Sequence, residues 1–87
     1  MQLPMKKQEV KIGTITGTTT SNGNFNTTLS LANIIILNAV GTNFADSERF
    51  IVLPMCATND KLWYFHVQDM DGNPLQRANI NFQYTYI

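Results

Sequence analysis

The sequence is poor in the residues that small proteins use to fasten themselves. Cysteine occurs once, at Cys56, so no disulfide can form within the chain, and the default reading of that thiol is a small apolar residue. Histidine also occurs once, at His66, with no second ligand at a familiar metal-binding spacing. Only 14% of the 87 residues are charged, six Lys+Arg against six Asp+Glu. A net charge of zero excludes the basic footprint that nucleic-acid binding requires. Lys6, Lys7 and Lys11 read as a solvated start. The longest apolar run, Ile34-Ile35-Ile36-Leu37, falls far short of the roughly 20 residues that cross a bilayer, so no membrane insertion is expected. Met1-Gln2-Leu3-Pro4-Met5 has neither the charged start nor the apolar stretch of a signal peptide. No segment carries a helical stripe.

Catalytic groups are equally sparse. Ser21, Ser30 and Ser47 lie outside any nucleophile-elbow motif. The acids Asp46, Glu48, Asp60, Asp69 and Asp71 all fall in or beside turns, where acidic residues are ordinary. Asp69, Asp71 and Asn73 have the spacing of two that begins a calcium loop. However, Gly72 stands at the fourth place rather than the sixth, and no glutamate closes the pattern. A plain turn accounts for them. The expectation is therefore a non-enzymatic domain with no catalytic residues, no metal and no cofactor.

What the sequence does contain is alternation. Residues 1–9 show none and read as an arm or the remnant of an upstream connection; residues 10–87 read as a single domain. Val10, Ile12, Thr14, Thr16 and Thr18 alternate like a strand with one buried face. Asn22-Gly23 supplies the backbone of a tight hairpin turn, and a second strand runs from Phe25 to Leu31. Ile34 to Val40 and Lys61 to Val67 are apolar on both faces. Arg49 to Ala57 holds Pro54 and so belongs at a sheet edge or a bulge. Asn79 to Tyr86 alternates without exception, Ile80, Phe82, Tyr84 and Tyr86 against Asn79, Asn81, Gln83 and Thr85. The fold class is all-β: a small antiparallel sandwich of about six short strands.

Two strands that are apolar on both faces need two covers. The domain's own core supplies one, and a neighbouring subunit is the expected second. Ile35, Leu37, Trp63, Phe65, Tyr84 and Tyr86 are the candidate interface residues, since aromatic side chains anchor interfaces. If strands alternate in direction, the connections 21–24, 42–48 and 68–78 share the end opposite the N-terminus. Long polar loops on a rigid scaffold are where recognition concentrates.

Several features in this order are similar to a known family. They are Ser21-Asn22-Gly23-Asn24, the isoleucine strand, Trp63-Tyr64-Phe65-His66-Val67, the loop with Gly72-Asn73-Pro74, and the ending Phe82-x-Tyr84-x-Tyr86. Together they resemble the C-terminal receptor-binding head domains of phage and prophage tail or baseplate proteins from Gram-positive bacteria. The layout is also similar to that of H-type-lectin-like β-sandwiches. The resemblance implies a homotrimeric head at the tip of a virion fibre, binding host cell-surface glycan or polysaccharide. It carries Trp63, Tyr64, His66, Asp69, Asp71, Asn73, Asn43 and Asp46 as candidate ligand-binding positions. The alternative is a trimerisation or assembly module without a ligand of its own.

Overall fold

Segments rich in β-branched and aromatic residues pair into two sheets. The computed structural model describes residues 9–43 and 50–87. Within them lie six strands, β1 (Lys11–Thr18), β2 (Asn24–Ser30), β3 (Ile36–Asn43), β4 (Phe50–Cys56), β5 (Leu62–Asp69) and β6 (Asn79–Tyr86). All pairings are antiparallel. One sheet has the order β1-β6-β3 and the other β2-β5-β4. No helix occurs among the described residues. Residues 1–8 of the arm, most of the third connection and Arg49 lie outside the described residues.

The core forms between the two central strands, β5 and β6. Phe65 and Val67 of β5 and Ile80 and Phe82 of β6 have no exposed area, and Tyr84 is 7% exposed. The Phe65 and Phe82 rings lie 4.9 Å apart, and Phe25 adds a second contact to Phe82 at 5.0 Å. Burying one such side chain is worth about 1.5–3 kcal/mol relative to leaving it in water. β6 behaves as its alternation dictates: Ile80, Phe82 and Tyr84 point inward, while Asn79, Asn81 and Gln83 are exposed. Pro54 lies on β4, an edge strand, where a missing ladder donor is tolerated.

β1 presents the opposite face from the one its alternation suggested. Val10 and Ile12 are exposed, and so are Thr14, Thr16 and Thr18. The inward positions are Gly13, Ile15 and Gly17. A β-carbon on Gly13 would collide with the Tyr84 ring, and one on Gly17 with the Phe25 ring. The core at this edge is supplied by aromatics reaching over bare backbone, which a hydropathy pattern along β1 cannot register.

The chain also changes sheets more often than a meander would. Only β4 and β5, among consecutive strands, share a sheet. Asn22-Gly23 therefore does not close a hairpin; it carries the chain from one sheet to the other, with Gly23 at φ +77°. Strand direction still alternates, so the connections among the described residues sort to two ends as expected. Val67 N donates to Gly23 O at 2.7 Å and Arg77 N to Thr20 O at 3.2 Å, joining segments 20–23 and 75–77 at one end. Leu31 N donates to Lys61 O at 3.0 Å at the other. β3 starts at Ile36 and continues to Asn43. Asn33 N and Ile34 N fold back onto Ser30 O, and the register shifts between Ile36 and Asn38.

Candidate functional site

The loop after β5 is held by the last residue of that strand. Asp69 Oδ1 accepts from the backbone N–H groups of Asp71 and Asn73, each at 2.9 Å. Asp69 N donates to Asn73 O at 2.8 Å, and Gly72 N donates to Asp69 O at 3.1 Å. Hydrogen bonds to the ionised form favour it. The N–H of Asn73 is the largest influence holding the Asp69 carboxyl below its ordinary value, against an opposing desolvation effect. Asp69 is thus occupied in shaping the turn, as the plain-turn reading held. The side chains of Asp71 and Asn73 stay exposed on it. Among the described residues, no group of three His, Cys, Asp or Glu side chains is placed to hold a metal ion.

The same end is braced from the first connection. Thr19, 2% exposed, donates through Oγ1 to Leu75 O at 2.6 Å and accepts from Ala78 N at 2.9 Å. Thr19 N donates to Ala78 O at 2.9 Å. Thr20 Oγ1 accepts from Asn22 N and Asn24 N. Two loops distant in sequence are thereby fixed to each other by a buried hydroxyl. A lone buried threonine among Thr18, Thr19 and Thr20 carries no distinguishing mark in the sequence.

The aromatic candidates do not gather at this end. Trp63 faces the core from the opposite end of β5, and its Nε1–H donates to Ile34 O at 3.2 Å. Six residues of strand separate it from Asp69, about 20 Å. Tyr64 and His66 point outward from β5 and are half-buried. His66 Nδ1 lies 2.6 Å from Asn24 Oδ1, the geometry of an Nδ1–H donor to the amide oxygen. Asn24 is a partner that only the pairing of β2 with β5 reveals. Asn43 ends β3, and Asp46 lies outside the described residues.

The interface candidates divide as well. Ile35 and Leu37 are each 51% exposed. Trp63 and Tyr86 are half-buried against the core. Phe65, at 0%, and Tyr84, at 7%, are buried within the chain itself. The Phe65 ring packs on those of Phe82 and Tyr84, and the Tyr84 ring also on that of Tyr86.

The outer faces of the two sheets differ. On β1-β6-β3 the outward positions of β6 are uncharged and polar, with Thr16 donating to Asn81 Oδ1 at 3.2 Å and Thr18 to Asn79 Oδ1 at 2.6 Å, while Ile12 and Val40 are exposed on the flanking strands. On β2-β5-β4 the outward side chains of β4 are apolar. Ile51, Leu53 and Met55 are 37%, 40% and 44% exposed, flanking Gln68, His66 and Tyr64 respectively in the ladder. Where edges β3 and β4 meet, an open groove of about 560 Å³ runs between Asn38–Gly41 and Phe50–Leu53. Compared with known proteins, the chain matches no family model, no curated protein and no solved structure.

Proposed function

We propose that this domain is a non-enzymatic recognition head that binds a host cell-surface glycan and works as a homotrimer, in the manner of a phage or prophage tail tip. The observation that carries the reading is the braced loop end. Thr19 and Asp69 fix two polar loops to the scaffold and to themselves, and the side chains of Asp71 and Asn73 are left outward. A loop end ordered before binding loses less conformational entropy when a ligand arrives. Carboxylate, amide and hydroxyl groups all suit sugar hydroxyls, which donate and accept. Titration of the intact protein with cell-wall polysaccharide of Gram-positive bacteria tests it. Binding that falls on Asp71→Ala and Asn73→Ala supports the reading, and silence from an intact oligomer defeats it.

The second reading, an assembly module without a ligand, is favoured by the exposed apolar side chains of β4. It predicts a stable oligomer that no polysaccharide perturbs.

A further inference from the structure

We infer that the outer face of β4, centred on Leu53 and continued by the groove beside β3, is the surface on which copies of this chain meet. The inference rests on the oligomeric part of the proposed function and gives it a location. β4 is apolar on both sides although it is an edge strand: Val52 is buried inward, while Ile51, Leu53 and Met55 are exposed outward. Val40, across the groove on β3, is 54% exposed, and Leu37 at the start of β3 is 51% exposed. An exposed apolar edge strand is a liability unless something covers it. Contiguous exposed apolar patches of about a few hundred Å² often serve as contact sites.

Its electrical character selects a second copy as the partner. The outward positions of β2, β5 and β4, from Asn24 and Asn26 through Tyr64, His66 and Gln68 to the β4 strip, include no Lys, Arg, Asp or Glu. In a three-fold assembly the residues nearest the shared axis meet their own copies, so an uncharged strip placed there comes together without repulsion. Among the described outward positions of this face, a charged partner protein would find no charge to pair with. The polar, uncharged flank extends the apolar strip toward the roughly 800 Å² per partner of a standard interface. Pro54 removes one N–H from the β4 edge, which weakens strand-to-strand pairing there, and the β3–β4 groove can take apolar side chains of the neighbour.

Two methionines make the test internal to the native chain. Met55 lies in the strip and is 44% exposed within one chain, whereas Met70, on the loop end, is 64% exposed. Dilute peroxide is applied to the intact protein at a concentration where it is oligomeric, with mass spectrometry reading each methionine. The inference predicts that Met55 is oxidised many-fold more slowly than Met70, and that dilution to monomer restores its reactivity. Leu53→Glu should reduce the particle mass to one chain, while Thr16→Glu on the other sheet should leave it unchanged. An oligomer whose Met55 reacts in proportion to its exposure in one chain overturns the location alone. A wild-type protein that stays monomeric overturns the oligomeric reading with it, and loss of glycan binding alone touches neither result.

Discussion

The ring of Phe25, on β2, occupies the space that a β-carbon on Gly17 of β1 would need. The ring cannot retreat freely, since it also packs on Phe82 at 5.0 Å. Gly17→Ala should therefore destabilise the domain by about 1–3 kcal/mol as overpacking. That outweighs the gain of about 0.4–1 kcal/mol that alanine brings by restricting the unfolded chain. Urea denaturation of the two proteins measures the difference.

Thr19→Val keeps the shape of the side chain and deletes its hydroxyl. Leu75 O loses its donor from the hydroxyl and Ala78 N loses its acceptor. Leaving buried polar groups unpaired costs about 1–3 kcal/mol each. Thr19→Val should lose about 2–4 kcal/mol, while Thr19→Ser should retain most of the stability. Hydrogen exchange at Ala78 should accelerate in the valine variant first.

Acid should loosen the distal loop through Asp69. Its folded pKa lies below the ordinary 3.8 because backbone N–H groups, that of Asn73 foremost, prefer the charged carboxylate. A depressed pKa contributes stability that is present above the unfolded value and lost as pH falls through the folded one. The wild-type denaturation midpoint should therefore decline as pH falls through the ordinary carboxylate range and below it, partly on this residue's account. Asp69→Asn, which cannot titrate but can still accept both hydrogen bonds, should show a shallower decline. Equal slopes for the two proteins would remove Asp69 from the account.

Gly23 combines a φ of +77° with Val67 O only 2.7 Å from where its β-carbon would sit. Gly23→Ala should cost about 1–3 kcal/mol through a backbone state that alanine adopts poorly. It should also weaken the bond from Val67 N to Gly23 O, which joins the first connection to β5. Thermal unfolding followed by circular dichroism reads the shift.

How far the sequence disclosed the fold depended on what each segment's pattern could encode. β6 was legible to the residue, because a central strand between one core and one solvent face must alternate. Pro54 placed β4 at an edge through its missing donor. β1 misled, because Gly13 and Gly17 create the inward face by having no side chain, and only Tyr84 and Phe25 explain them. The distal site was half legible. Asp69-x-Asp71-Gly72 announces a turn, but the buried role of Thr19 and the pairing of Asn24 with His66 exist only once distant strands are in register. Phe65 and Trp63 read alike as aromatics of a strand with two apolar faces. Their partners, Phe82 and Ile34, decide what each does.

Light scattering of the wild-type protein at micromolar concentration reads whether the head assembles from identical copies. A homotrimer gives a particle of three times the mass of one chain, and a particle of one chain's mass would defeat the trimeric reading.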